Sequence, residues 1–377
     1  MEMSEERGLQ RKRRSIKLLI GGSPCTHWSI AQTKNRETEA SGLGWELFLN
    51  YRIARDKFQP DYFLYENNKS MSPAIRAQIT AELGVEPTLI NSALLSAQNR
   101  QRLYWCGKRN ADGTYSQVNV PLPEDRGIML QDILESGVCW REKGYVLKAN
   151  YGKASATNFF DGGHFPANGA AEPVRVGTIE SGAKKSSFEM RKDQKSNAVI
   201  VGHQNRLVIE RADGKTIPIY EVCDGKITIR GKTYPIRLRD GFYVIRKLTV
   251  RECMRLQTVP DAYVFPVSDT QAYKMLGNGW TVDVIAHILS HFTGLTEEPV
   301  EVLSMYDGMS CGHIALDKLG VDIRRYHATE IDAYAIKTVQ ANFTDVLQLG
   351  DAFQVREDGW DGGGISARPE QRERRTP

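Results

Sequence analysis

The chain of 377 residues, 41% hydrophobic and 25% charged, has the composition of an ordinary globular protein with material for two domains. Its formal net charge of +4 and pI near 8.6 permit a nucleic-acid partner without requiring one. No apolar run approaches a membrane span and residues 1–7 lack a signal-peptide core, so the expectation is a cytoplasmic protein with no membrane partner.

Residues 7–14 form a basic leader, read as a solvated tail rather than a specific binding element. Residues 16–20, Ile-Lys-Leu-Leu-Ile, are a short apolar run of the kind that makes a buried parallel strand. They lead into Gly21-Gly22-Ser23-Pro24-Cys25, which puts one thiol at the carboxyl end of a strand, where open α/β sheets build their sites. Pro24 fixes its own φ and biases Ser23 toward extended backbone, so Cys25 has a stiff support. On this stretch alone Cys25 reads equally as a nucleophile or as a buried structural thiol. Cys106, Cys139, Cys223, Cys253 and Cys311 form no C-x-x-C pair and have no histidine cluster, so free thiols and no metal site are expected.

The polar stretch 26–44 has the length of a functional loop, with glycines near its end as hinges. Leu47, Phe48, Tyr51 and Ala54 at helical spacing predict a helix over 45–58, stopped by Pro60. A second strand over 62–65 ends at Glu66-Asn67-Asn68, where the carboxylate either faces the thiol or belongs to a helix N-cap region. A helix over 75–83 follows. In Gln98-Asn99-Arg100-Gln101-Arg102 the two arginines share one face of an extended segment, and either converge on one anion or line a solvated strand edge.

From about 137 to 242 helical periodicity vanishes, and Asp213-Gly214, Asp224-Gly225, Arg230-Gly231 and Asp240-Gly241 punctuate alternating runs, the pattern of β-hairpins. We read a second, mostly β domain there, with a basic surface that includes Lys184, Lys185, Arg191 and Lys192. Helical pattern returns at 248–257, where Thr249 and Glu252 make a capping box. Further helices are expected from Thr270 and from Trp280 to about Phe292, interrupted by Gly277-Asn278-Gly279.

After residue 300 the α/β grammar repeats. A strand over 300–306, the turn Asp307-Gly308-Met309-Ser310-Cys311-Gly312, a helix from His313 and a strand over 325–328 lead to Glu330. That order is the dinucleotide-type fingerprint, in which the carboxylate takes ribose hydroxyls. Its glycine spacing departs from G-x-G-x-x-G, which argues against nicotinamide and leaves adenosine-containing cofactors open. A third strand over 346–349 ends in Gly350-Asp351, and the residues from 361 have the composition of a disordered tail.

Taken together, these stretches resemble the DNA (cytosine-5) methyltransferases over most of the chain outside 140–245. Gly22-Ser23-Pro24-Cys25 is similar to that family's nucleophile motif, Glu66-Asn67-Asn68 to its Glu-Asn-Val motif, and Gln98-x-Arg100-x-Arg102 to its Gln-x-Arg-x-Arg motif. Residues 246–257 resemble the motif that follows the target-recognition region. Gly277-Asn278 resembles the last cofactor motif, and Tyr306-Asp307-Gly308, Glu330 and Gly350-Asp351 the three cofactor motifs that normally open the chain. Here those three come last, so the chain resembles a circularly permuted member. Thr26, Asn68 and Gly279 stand where Gln, Val and Ser are common, and the contact of that serine with the cofactor is expected to be absent.

The resemblance implies a Rossmann-like, circularly permuted S-adenosylmethionine-dependent methyltransferase sheet with a smaller, mostly β target-recognition domain. Its parts would be a nucleophile half over 1–138, the recognition domain over 139–245 and a cofactor half over 246–377. It implies methyl transfer to carbon 5 of a flipped-out cytosine in duplex DNA, with S-adenosylhomocysteine as product and a cognate restriction endonuclease as a candidate partner. Cys25 would be the nucleophile, Glu66 would act on the ring, Arg102 would hold the base and orient Glu66, and Arg100 would serve the phosphate backbone. Tyr306 would stack near the adenine, Glu330 would bind the ribose and Asp351 would approach the adenine amine. Pro24, Asn278, Trp280, Asp307, Gly308, Gly312 and Ile331 complete the implied cofactor site. Ser29, in a loop closing over the base, would join Lys184, Lys185, Arg191 and Lys192 on DNA. An RNA methyltransferase, a silent methyltransferase-like regulator and a cysteine hydrolase using His27 are the rivals; the regulator would be expected to lack Cys25 or Glu66. The implied architecture makes strands 16–20 and 302–305 parallel neighbours.

Overall fold

The computed structural model describes residues 15–29, 36–160, 166–174, 199–203, 206–210 and 214–360. The basic leader, Lys184, Lys185, Arg191, Lys192 and the tail from 361 lie outside these.

The chain begins with β1 (Ile16–Gly21), α1 (Gly42–Phe58), β2 (Tyr62–Asn68), α2 (Pro73–Leu83), β3 (Pro87–Asn91), β4 (Gln101–Arg109) and β5 (Tyr115–Gln117). Then come α3 (Ala156–Phe160), β6 (Gly169–Val174), β7 (Val199–His203), β8 (Arg206–Glu210), β9 (Thr216–Cys223), β10 (Lys226–Ile229), β11 (Lys232–Pro235) and β12 (Gly241–Lys247). The last stretch holds α4 (Val250–Leu256), α5 (Asp269–Asn278), α6 (Val282–Leu289), β13 (Val300–Met305), α7 (Cys311–Lys318), β14 (Ile323–Thr329), α8 (Ala333–Asn342) and β15 (Val346–Gly350).

One sheet has the order β15-β14-β13-β1-β2-β4-β3, with β5 on β4. Strands β15, β14, β13, β1 and β2 are parallel, and β4 runs against them. The expected neighbours are neighbours: β1 and β13 pair in parallel from Ile16 opposite Val300 to Gly21 opposite Met305. Alternate side chains explain the buried runs. Leu18, Ile20, Leu64 and Val302 join one core with α6 and α7, while Leu19, Phe63, Tyr65, Leu303 and Met305 join another with α1 and α2. Because the strands are parallel, the loops after β1, β2, β13, β14 and β15 open on one edge.

The second sheet, β11-β10-β9-β12-β6 with β8 on β9 and β7 on β8, is antiparallel throughout. At Asp224-Gly225 and Arg230-Gly231 both residues have φ between 49° and 81°, the left-handed pair that two-residue hairpins need. Asp240-Gly241 is no hairpin turn, since β12 pairs with β9 and β6 rather than β11. Asp213 lies outside the described residues.

Four boundaries differ from expectation. Strand β2 continues through Glu66, Asn67 and Asn68, because β4 lies opposite and supplies ladder partners as far as Asn68 opposite Arg102. Helix α1 starts at Gly42, where Glu37 accepts the backbone N–H of Gly44. Gly277 and Asn278 end α5 instead of interrupting it, and α6 stops at Leu289. The short strands β3 and β5 and the helix α3 have no counterpart in the periodicity. The capping box is present in both directions: Thr249 Oγ1 accepts from Glu252 N at 3.1 Å, and Glu252 Oε2 accepts from Thr249 N at 2.8 Å.

Candidate active site

The loop after β1 leads into a short 3-10 turn, Cys25–His27, and is built onto β2 from below. A Cβ at Gly22 would stand 2.7 Å from the Glu66 carbonyl and 3.0 Å from Glu66 Oε2, so only glycine lets the loop lie this close to that carboxylate. Asn67 Nδ2 donates to the Ser23 carbonyl at 3.2 Å and to the Tyr65 hydroxyl at 3.1 Å, and that hydroxyl shares a 2.7 Å hydrogen bond with Ser23 Oγ. The peptide immediately before Pro24-Cys25 is therefore clamped by β2. Further along, Trp28 is fully buried, and its indole donates to Glu37 at 3.0 Å, so the loop is anchored on both sides of residues 30–35.

Glu66 is buried, and each of its carboxylate oxygens has a donor. Arg102 Nε reaches Oε1 at 3.0 Å from β4, and the Trp280 indole N–H reaches Oε2 at 3.0 Å from the α5–α6 joint. Both ionic partners are mostly sheltered from water, where an ion pair is screened less than on the surface.

Arg100 does not join them. It precedes β4, is 4% exposed, and its guanidinium donates to the carbonyls of Gly279 at 2.8 Å and of Leu147 and Gly277 at 3.4 Å. A shared strand face requires both arginines to be extended, and only Arg102 lies in the strand. The expectation that Arg100 serves the phosphate backbone is thus replaced by an internal clamp. Beside it Gln98 Nε2 donates to Gln257 Oε1 at 2.7 Å, Thr281 Oγ1 donates to the same atom at 3.0 Å, and Ser92 Oγ donates to Thr281 at 2.9 Å. This buried polar chain fixes where Trp280 stands. Gln257 belongs to the 246–257 motif, whereas Thr281 and Ser92 have no motif of their own, and their polar type at otherwise buried positions is the available sign.

On the other half of the edge, the turn after β13 has left-handed backbone at Tyr306, Gly308 and Ser310, with φ of 60°, 60° and 55°. Three local devices hold it. The Asp307 carboxylate turns inward, accepting from the Tyr326 hydroxyl at 2.8 Å and from Ser310 Oγ, and its burial pushes the carboxyl up to about 6. Glu330 accepts three backbone N–H groups, from Gly308 at 2.8 Å, Ile331 at 2.8 Å and Asp332 at 2.7 Å. Tyr306 donates to the Leu47 carbonyl at 2.6 Å, which ties its ring to α1.

Above Gly308 nothing lies within 4 Å of where a Cβ would stand. Ile331, 74% exposed after β14, and Phe353, 36% exposed after β15, put apolar side chains at the ends of adjacent strands. Asp351 Oδ1 accepts from Phe353 N at 3.0 Å. The open space, the carboxylates with spare lone pairs and the exposed apolar pair fit a flat purine nucleoside with ribose hydroxyls. Phe353 was not anticipated.

Several implied cofactor residues have other duties. A Cβ at Gly312 would collide with Ile20 Cδ1, so this glycine lets α7 pack against β1. Gly277 has the backbone of Lys148 and Ala149 against it. Trp280 turns its indole to Glu66, while Pro24 and Asn278 are exposed and Ser29 is half-buried. Burial pushes the thiols of Cys106, Cys253 and Cys311 up, Cys311 to about 12, and that of Cys139 up to about 11. None of these four is a nucleophile at neutral pH. A cleft of about 360 Å³ lined by Trp140, Phe160, Tyr234 and Arg237 among others belongs to the second sheet and its flank, not to this edge.

The model of the C-5 cytosine-specific DNA methylases matches residues 3–293. The Type II methyltransferase M.HpaII of Haemophilus parainfluenzae is 28% identical over 283 residues, covering 71% of this chain and 69% of that protein. The Type II methyltransferase M.SsoII of Shigella sonnei is 28% identical over 280 residues, covering 71% of this chain and 61% of that protein. Among solved structures, the Entamoeba histolytica methyltransferase EhMeth superposes with a TM-score of 0.40 at 12% identity, over 73% of this chain and 76% of that one. Matched across well over half of its length, the chain belongs to the C-5 cytosine-specific DNA methylases, the enzymes that methylate carbon 5 of cytosine in DNA with S-adenosylmethionine as donor.

Proposed function

We propose that this chain methylates a flipped-out cytosine in duplex DNA through a covalent adduct between Cys25 and carbon 6. The observation that carries the reading is the seating of the Cys25 loop directly on Glu66, with Arg102 holding the far side of that carboxylate. Carbon 5 of cytosine is a poor nucleophile until a thiolate adds to carbon 6. As the Cys25 sulfur bonds to carbon 6, the displaced ring electrons move toward nitrogen 3, where a proton from Glu66 receives them. Carbon 5 is then the end of an enamine. S-adenosylmethionine supplies the electrophilic methyl group. Loss of the carbon-5 proton, expulsion of the thiolate and return of the nitrogen-3 proton to Glu66 restore the ring. Arg102 would orient Glu66 throughout and hold the base oxygen.

Glu330, Asp351, Ile331, Phe353 and the Tyr306–Gly308 turn would hold the donor, with Asp307 and Gly312 shaping the turn rather than touching it. The permuted order is supported by the family match ending at 293, before β13, while β13 lies parallel beside β1. On that reading 1–138 is the nucleophile half, 139–245 the target-recognition domain and 246–377 the cofactor half. Recognition of duplex DNA falls to the second sheet with Ser29, Lys184, Lys185, Arg191 and Lys192, since base-edge readout needs an element shaped for a groove. A cognate restriction endonuclease and a cytoplasmic, DNA-associated setting follow from the same reading, and no described helix is long and apolar enough to cross a membrane. The deciding experiment offers labelled S-adenosylmethionine with duplex DNA or with RNA. Label is expected in DNA cytosine alone, and preferential labelling of RNA would overturn the reading.

A further inference from the structure

We infer that Trp280 is the positioning residue for Glu66: its indole N–H governs how the carboxyl group is oriented toward the base. The inference rests on the reading of Glu66 as the proton donor to the base.

The geometry gives each oxygen a different partner. Oε1 accepts from a guanidinium, which is charged at every working pH, and Oε2 accepts from a neutral indole at 3.0 Å. A proton on the carboxyl group displaces a donor from the oxygen that carries it. Displacing the neutral donor costs less, so Oε2 is the proton-bearing oxygen and the indole is the group that must give way. Oε2 is also the oxygen nearest the Cys25 loop, 3.0 Å from the position a Cβ at Gly22 would take.

The residues on either side of Trp280 are held in place. On one side the Gly279 carbonyl accepts from Arg100 Nη2 at 2.8 Å and from Gln257 Nε2 at 3.3 Å. On the other, the Thr281 hydroxyl donates to Gln257 Oε1 at 3.0 Å. The same peptide faces the cofactor side. A Cβ at Gly279 would stand 3.1 Å from Cys311 Sγ and 3.5 Å from Met309 Sδ, both in the Asp307–Gly312 turn. A pinned residue thus touches the carboxylate that acts on the base and backs onto the turn that faces the donor. The other groups around Glu66 are Arg102 and Tyr104 on β4, Tyr65 on β2 and the Cys25 loop. Burial holds both phenols neutral, so among the described side chains of this shell Arg102 is the charged neighbour.

The test is the pH–rate profile of Trp280→Phe, with Glu66→Gln beside it. Removing a donor from a carboxylate favours its protonated form. The limb on which activity falls with rising pH should therefore move upward by roughly half a unit to one unit. At the same time kcat should drop about tenfold, with the KM for S-adenosylmethionine unchanged. A profile that superposes on the wild type, or a raised KM for S-adenosylmethionine with an unmoved limb, would overturn the inference. Where Trp280→Phe does not fold, the six indole N–H resonances of the wild type and of Glu66→Ala decide. One indole must move strongly on loss of the carboxylate, and an unchanged set would overturn the assignment. Wild-type turnover in Glu66→Gln would instead sink the reading of Glu66 itself.

Discussion

The two halves of the active edge each hold a carboxylate at or beyond the end of a parallel strand, and they hold it by opposite means. Glu66 is gripped by side chains that arrive from far along the chain, Arg102 from β4 and Trp280 from 214 residues away. Glu330 is gripped by backbone N–H groups, two of them from the next two residues of the chain. Side-chain donors can yield to a proton or a base without disturbing the fold, whereas backbone donors cannot move without moving the turn. The first arrangement suits a group that changes its partners during a reaction, the second a group that presents a fixed surface to a ligand.

The sharpest way to break this contrast is at the proposed nucleophile. Cys25→Ala should abolish methyl incorporation into DNA while DNA binding in a gel-shift assay persists, because affinity rests largely on phosphate contacts. Substantial turnover would remove the reason for calling this half the reacting one. Glu66→Gln comes next, with turnover slowed about 10²-fold or more and folding retained, since an amide still accepts from one donor. Loss of folding in place of loss of rate would mean that Glu66 serves the fold rather than the reaction.

The legible parts of this site were those with local signals. Apolar runs announced β1 and β13, Thr249 and Glu252 announced α4, and the left-handed pairs Asp224-Gly225 and Arg230-Gly231 announced the hairpins. Their pairing as parallel neighbours followed from the resemblance and holds. What escaped the reading depends on partners distant in sequence. Arg100 turns inward because the carbonyls of Leu147, Gly277 and Gly279 surround it, and no spacing rule reports them. The resemblance implied Trp280 for the cofactor site, whereas in the structure its indole donates to Glu66. Glu66 itself was read as lying beyond its strand, because the ladder that extends β2 comes from β4.

On the scaffold side, Glu330→Gln places an amide NH2 against a backbone donor and forfeits a charge-assisted acceptor. Such bonds contribute roughly 1.5–3 kcal/mol each, so S-adenosylmethionine affinity by calorimetry should fall about ten- to a hundredfold. Wild-type affinity would show that the turn keeps its shape without this carboxylate. Exchange of the second sheet for that of another family member should leave transfer intact and change only the methylated sequence, read by bisulfite sequencing; an unchanged sequence would locate recognition on the catalytic edge.

The smallest effect separates the halves by pH. Asp307 is enclosed by Tyr326 and Ser310, and burial raises its carboxyl to about 6, against the hydroxyl hydrogen bonds that oppose the rise. In the unfolded chain an aspartate loses its proton near 3.9, so between about pH 4 and 6 the folded protein holds a proton that the unfolded one has released. Where the folded state binds more protons, stability falls as pH rises, so this group opposes folding at pH 7 and ceases to do so as the solution is acidified. Asp307→Asn removes the ionisation and keeps an oxygen for Tyr326. In urea unfolding at pH 7 and pH 5, the wild type should therefore gain on the variant as pH falls, by on the order of 1–2 kcal/mol. Glu66 sits outside this turn, so the pH–rate limb should be the same in both proteins. A stability gap that stays constant, or that moves the other way, would show that the Asp307 carboxylate is solvated, and the turn would then owe its shape to Glu330 and Tyr306.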